Sequence, residues 1–224
     1  MFFQPYVGSK FYTGIHGKKV LVLGASFYCA ETDCRFFEDC TSVIKKDSSK
    51  YDTICPQYAP HQSVLHDEPS NCIEIQTKLV AYQKFAKFMN RFVSSNVWDY
   101  MAFTNNVQFM LGSTQKGRRR LTYKSDLSQR DFDAFNEVLK VLQPDIVVIW
   151  GTVINSRLKE ENAHIIDPQE LSRTESYVCH IQPPGLNHPV ALINPYHPSS
   201  SAWYGDIPLL DKYMNKYMNK LLGL

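Results

Sequence analysis

The chain has 224 residues, 44% hydrophobic and 21% charged, and its 24 basic and 22 acidic side chains leave a net charge of +2. This is the composition of a folded globular protein, and it excludes a disordered or collagen-like chain. A balance so near neutral means that any affinity for nucleic acid must come from a local patch.

No apolar run approaches the ~20 residues needed to span a bilayer. The opening Met1-Phe2-Phe3-Gln4-Pro5-Tyr6 has no basic stretch leading into an apolar one, so a cytoplasmic protein with no membrane partner is expected. Cysteines occur at 29, 34, 40, 55, 72 and 179, without a C-x-x-C pair or a standard zinc spacing. Reduced structural thiols are therefore expected, with metal binding through the 29–72 cluster as the alternative.

Lys18-Lys19-Val20-Leu21-Val22-Leu23-Gly24 is a continuous apolar run ending at glycine, as in a strand buried on both faces. The stretch from Ala30 to Asn71 has no sustained period and is long for a loop. Between Ile75 and Val93, Leu79, Val80, Tyr82, Phe85, Phe88, Met89 and Phe92 recur at helical spacing. A second strand is expected over Asp99–Thr104, running into Asn105-Asn106-Val107. The basic loop Gln115-Lys116-Gly117-Arg118-Arg119-Arg120 follows it.

A helix is expected from Ser128, a suitable cap, to Leu142, with its stripe on Phe132, Phe135, Val138, Leu139 and Leu142. Pro144 stops it. Asp145–Gly151 reads as a third buried strand, Ser176–Gln182 as a short extra one, Val190–Ile193 as a fourth, and Ile207–Leu222 as a closing helix. Strands alternating with helices imply a parallel sheet covered on both faces. The expected architecture is one α/β domain over residues 1–224, a three-layer α/β/α sandwich with a central, mainly parallel sheet of about four strands.

After the fourth strand comes Asn194-Pro195-Tyr196-His197-Pro198-Ser199-Ser200-Ser201-Ala202-Trp203. The flanking prolines preset the backbone around His197, and the hydroxyls beyond it suit a phosphate oxygen. In a parallel sheet the C-terminal strand ends share one edge, where ligands bind. Gly24-Ala25-Ser26-Phe27-Tyr28-Cys29, Thr104-Asn105-Asn106-Val107 and His197-Pro198-Ser199 gather there. They bring a glycine, aromatic faces, a carboxamide and an imidazole, the parts that hold a planar polar heterocycle.

This order of motifs and strands, from Val20 to the tail helix, resembles the uracil-DNA glycosylase superfamily. That family has a glycine-containing motif after strand one, an asparagine ending strand two, and His-Pro-Ser after strand four. The resemblance implies base excision from DNA, single- or double-stranded, with uracil as the expected base, no cofactor, no metal and a monomeric protein. It makes His197, Asn105 and Ser26 the catalytic group, with Gly24, Phe27, Tyr28 and Asn105 around the base. In that group Asn105 reads the uracil edge and His197 donates to uracil O2. Tyr28 falls where one branch of the family blocks a C5 methyl, and Phe27 or Phe36 stacks on the base. Ser199, Ser200, Arg118, Arg119 and Arg120 would contact DNA phosphates.

The first motif departs from the family, because Ala25 and Ser26 stand where an acid or asparagine usually handles water. A serine hydroxyl orients water but is a poor base; Glu31 and Asp33 are the nearest acids. The alternative is a protein that binds a nucleotide or single-stranded nucleic acid without cutting it. A small-molecule hydrolase, including one pairing Cys29 with His197, is a third reading.

Overall fold

The computed structural model describes residues 3–28, 68–76, 80–108, 110–111, 127–151, 153–154, 156, 158, 178–195, 197–199 and 207–224. In chain order they form β1 (Tyr6–Val7), β2 (Val20–Gly24), β3 (Phe27–Tyr28), α1 (Glu68–Gln76) and α2 (Val80–Met89). There follow β4 (Met101–Asn105), β5 (Met110–Leu111), α3 (Gln129–Leu142), β6 (Ile146–Ile149), β7 (Val178–Ile181), β8 (Val190–Ile193) and α4 (Ile207–Leu222). Residues 153, 154, 156 and 158 are also helical.

Every residue of β2, β4, β6 and β8 is buried. This is why β2, β6 and β8 are apolar runs rather than alternations, while β4 turns polar at Thr104 and Asn105 where it reaches the edge. These four form the parallel centre of a six-stranded mixed sheet in the order β1-β4-β2-β6-β8-β7. Leu21 lies level with Ala102 on one side and Val147 on the other, and Val147 with Leu192.

Both rims are antiparallel: Tyr6 faces Phe103, and Cys179 faces Leu192. The sheet thus has six strands and not about four. The difference comes from β7, expected as an extra strand, and from β1, whose two residues are too few to carry a period. A small second sheet pairs β3 with β5, Phe27 level with Met110.

Alternate strand residues enter two separate cores. Val20, Val22, Met101, Phe103, Ile146, Val148 and Ile193 pack with Ile73 of α1, Phe85 and Phe88 of α2, and Met218 and Leu222 of α4. Leu21, Leu23, Ala102, Val147, Ile149 and Leu192 pack with Phe135, Val138, Leu139 and Leu142 of α3 and with Ile154 and Leu158. The first parallel strand, β2, therefore sits inside the sheet, with the segments following β2 and β6 leaving to opposite faces. That is a topological switch point, the usual position of a ligand crevice.

The helix expected over Ile75–Val93 proves to be α1, α2 and a 3₁₀ turn at Asn90–Phe92. The Asn90 side chain accepts the Val97 N–H at 3.0 Å, which draws the chain out of the helix. α1 begins at Glu68, inside the stretch expected to be irregular. Asp99 and Tyr100 belong to a 3₁₀ turn over Val97–Tyr100, capped by Asn96, so the second parallel strand starts only at Met101. Helix α3 is close to expectation, with Ser128 and Asp131 closing a capping box.

Cys72 and Cys179 are thiols buried in the two cores, and the other four cysteines lie outside the described residues. Among the described residues no helix is long and apolar enough to cross a membrane.

Candidate functional site

Gly24 ends β2 level with Asn105, which ends β4. A Cβ at position 24 would collide with Asn105 Oδ1 and touch the Phe103 ring. The glycine is therefore required by its neighbour's carboxamide, whereas the resemblance had set it among the residues around the base. Asn105 is only 4% exposed. Beyond it the pairing continues, with Asn106 N–H donating to Gly24 O at 2.9 Å and Val107 N–H to Ala25 O at 3.0 Å.

This corner is fixed from several directions. Gln108 donates from Nε2 to the Asn105 carbonyl at 2.9 Å, and its Oε1 accepts the Phe3 N–H at 3.0 Å. The Gln108 N–H donates to Asp131 Oδ1 at 2.8 Å. Asp131 Oδ2 accepts from the Ser128 N–H and hydroxyl at 2.9 and 2.8 Å. One carboxylate thus caps α3 and holds the turn after β4. Asp131 is fully buried, and the loss of water around it raises its pKa against the lowering effect of Gln108, Ser128 and Arg130.

His197 follows β8 in a turn between Pro195 and Pro198, both buried. The Ser199 N–H donates to His197 Nδ1 at 3.1 Å, and Ser199 Oγ lies 2.6 Å from the same nitrogen. A nitrogen that receives a backbone N–H is an acceptor, so the neutral imidazole carries its proton on Nε2. Ser199 thereby fixes the tautomer, and its hydroxyl is oriented as a donor to the ring.

The imidazole stands edge-on to Trp150, with centroids 5.8 Å apart and planes at 76°. Trp150 is 1% exposed, and its backbone N–H donates to Leu23 O at 2.8 Å. Its indole packs against Tyr82 and Phe85 at 5.1 Å each and Phe103 at 5.7 Å. Such pairs contribute about 0.5–1.5 kcal/mol each beyond burial. Contacts therefore run from Asn105 through Gly24 and Phe103 to Trp150 and His197. Asn194, fully buried, ties the exit of β8 to that of β6 by donating to Gly151 O at 3.1 Å.

Of the remaining expected residues, Ser26 is half-buried between β2 and β3. Phe27 is 5% exposed and packs edge-on against Phe3 at 4.8 Å, which leaves it little surface for a ligand. The backbone of Tyr28 pairs in β3 with Leu111, while its side chain lies outside the described residues. Phe36, Ser200, Arg118, Arg119 and Arg120, and the acids Glu31 and Asp33, also lie outside them.

Sequence reasoning missed Gln108, which no pattern marks, and the role of Asp131. The latter was signalled by Ser128-x-x-Asp131, the spacing of a capping box. Among the described residues no group of three or more His, Cys, Asp or Glu side chains could hold a metal ion. Comparison with protein-family models and with curated proteins finds no match for this chain.

Proposed function

We propose that this chain is a uracil-DNA glycosylase-type enzyme, built as a three-layer α/β/α sandwich, that hydrolyses the N-glycosidic bond of a flipped uracil in DNA. The observation that carries the reading is the His197 tautomer. An imidazole with Nδ1 committed to Ser199 is a neutral donor through Nε2, at the same C-terminal edge of the sheet as Asn105 and linked to it through Trp150 and Phe103. Neutral donors of fixed direction suit an oxygen on which negative charge develops.

In the reaction the C1′–N1 bond breaks and its electron pair leaves with the base. The uracil edge is read by the Asn105 carboxamide, which donates and accepts at once. Uracil O2 takes the hydrogen bond from His197 Nε2 as the anion forms. Water adds to C1′, Ser26 orients it, and its surplus proton passes to the departing uracil anion. The products are uracil and an abasic deoxyribose. Ser200 and Arg118–Arg120 are assigned to the phosphates beside the extruded nucleotide, which makes DNA binding salt-sensitive. Ser199, expected from the sequence to join them, has both its N–H and its hydroxyl turned to His197 Nδ1 and orients the ring instead.

The purified protein, incubated with uracil-containing single- and double-stranded DNA and then with alkali, is expected to give strand scission at uracil. His197→Ala should lower single-turnover excision by about 100- to 1,000-fold, the cost of removing one transition-state donor. Absence of scission with the wild type would sink the catalytic reading. The second reading, binding without cleavage, is favoured by the absence of an acid at Ala25-Ser26. It would then be tested by salt-dependent binding that weakens when Arg118, Arg119 and Arg120 are neutralised.

A further inference from the structure

A chain so near neutrality needs a local patch to hold a polyanion, and one stands at the edge of the sheet opposite His197. We propose that the loop from Lys10 to Lys19 binds single-stranded DNA there, one base stacking on Tyr12 and the flanking phosphates pairing with Lys10 and Lys18. This surface goes beyond the excision site, and only the choice of DNA over RNA rests on the glycosylase reading.

Positive charge is concentrated in this loop. No acidic residue precedes Glu31, so Lys10, Lys18 and Lys19 stand unopposed at the start of a chain whose whole net charge is +2. Lys10 and Lys18 are exposed, whereas Lys19 Nζ turns back to the Leu142 carbonyl at 3.4 Å. The loop folds the two exposed lysines toward each other. Gly14 N–H donates to Lys10 O at 3.0 Å, and Gly14, at φ +71°, lies so near Lys18 that a Cβ would collide with its carbonyl. Ile15 and Lys18 close the turn by exchanging backbone bonds of 2.9 and 3.0 Å.

Lys10 is fixed at the edge where β4 begins, its N–H donating to Asp99 O at 2.7 Å and its Nζ standing 5.1 Å over the centre of the Tyr100 ring. Asp99 and Asp145 are acids of this same edge. Asp145 accepts the Lys19 N–H at 2.7 Å and faces His188 at 3.9 Å, so it is engaged away from the loop's exposed lysines.

Tyr12 lies between those lysines and is 70% exposed, the largest fraction for a large hydrophobic side chain among the described residues. Its ring stands edge-on to Phe11, with centroids 5.2 Å apart, and Phe11 is fully buried in the core under α3. A buried ring thus braces an exposed one. An exposed aromatic face set among cations is the equipment of a single-strand surface, because any unpaired base can stack on it while ammonium groups take the phosphates. A paired base has both faces covered by its neighbours and cannot use Tyr12. The length of β2, about 16 Å at 3.3 Å per residue, separates this loop from Gly24, so changes in the loop leave the excision chemistry in place.

The test measures affinity for uracil-free oligothymidylate of about 20 nucleotides, longer than a single-strand site, for oligouridylate of equal length and for a blunt uracil-free duplex, each across a salt series. Tyr12→Ala is expected to weaken oligothymidylate binding about 5- to 100-fold, and Tyr12→Phe, which keeps the ring, to bind as the wild type does. Duplex affinity should be the same in all three. Lys10→Gln with Lys18→Gln should lower the slope of log affinity against log salt by about 1.4, the loss of two phosphate contacts to a single strand. Thermal melting checks that each variant is folded, and single-turnover excision of uracil should be unchanged in Tyr12→Ala.

A wild type that does not bind oligothymidylate, or a Tyr12→Ala variant that binds it undiminished, overturns the proposal. So does an equal loss in duplex and single-strand affinity, which would make the loop a general cationic surface, and so does tighter binding of oligouridylate than of oligothymidylate. A wild type that binds oligothymidylate through Tyr12 but excises no uracil supports this surface and overturns the glycosylase reading alone.

Discussion

Asn105 and His197 follow different strands to the same edge of the sheet, and the chain holds them by different means. The turn after Asn105 is tied by bonds that reach 23 residues forward to Asp131 and 105 residues back to Phe3. His197 is oriented by Ser199, two residues away, and by one indole. The first arrangement spreads any disturbance into the fold, whereas the second confines it to the site. Catalytic and stability effects should therefore part company at these two positions.

The sharpest way to break this contrast is at Gly24. A methyl group there displaces the Asn105 carboxamide, so Gly24→Ala should lower excision about 100-fold, as loss of one oriented donor does. Asn105→Ala should do the same, and the double variant should be no worse than either alone, because the two changes remove one interaction. Single-turnover kinetics on the three proteins checks this; additive losses would refute it.

Next in size is Asp131. Its removal orphans the Gln108 N–H and the cap of α3, and Asp131→Ala should cost about 2–4 kcal/mol in urea unfolding. The pH dependence has a definite sign. The folded-state pKa of Asp131 lies above the ordinary carboxylate value of 3.8, so the folded protein holds that proton more tightly than the unfolded chain. The stability this contributes is complete below 3.8 and is lost as pH rises through the folded pKa. Unfolding measured from low pH to neutrality should show this decline in the wild type, and Asp131→Asn should lack it.

The smallest effect belongs to Ser199→Ala. The backbone N–H still holds Nδ1, so only the hydroxyl's net bond of about 1 kcal/mol is lost, roughly a fivefold drop in rate. The melting temperature should fall by no more than about 2–4 °C, which distinguishes this end of the site from the Asp131 end.

The parallel strands were legible because burial on both faces leaves no choice but apolar residues, as in Val20-Leu21-Val22-Leu23 and Ile146-Val147-Val148-Ile149. Helix α3 was legible from its stripe and from Ser128. The break between α2 and β4 was not, because it depends on the Asn90 side chain reaching Val97, a contact no periodicity reports. The glycine's partner was hidden for the same reason: only strand register brings Asn105 level with Gly24. His197 could be marked by its flanking prolines, but its tautomer needed the position of the Ser199 N–H. Local chemistry showed in the sequence, and pairings across the sheet did not.

The contact of Asn105 with Gly24 also constrains how this protein can diverge. A lineage that gains a side chain at 24 while asparagine remains at 105 meets a collision with the carboxamide. A lineage that first shrinks residue 105 meets none. Substitution at the two positions therefore has a preferred order, 105 before 24, and a descendant that has taken both steps cannot restore Asn105 until glycine has returned.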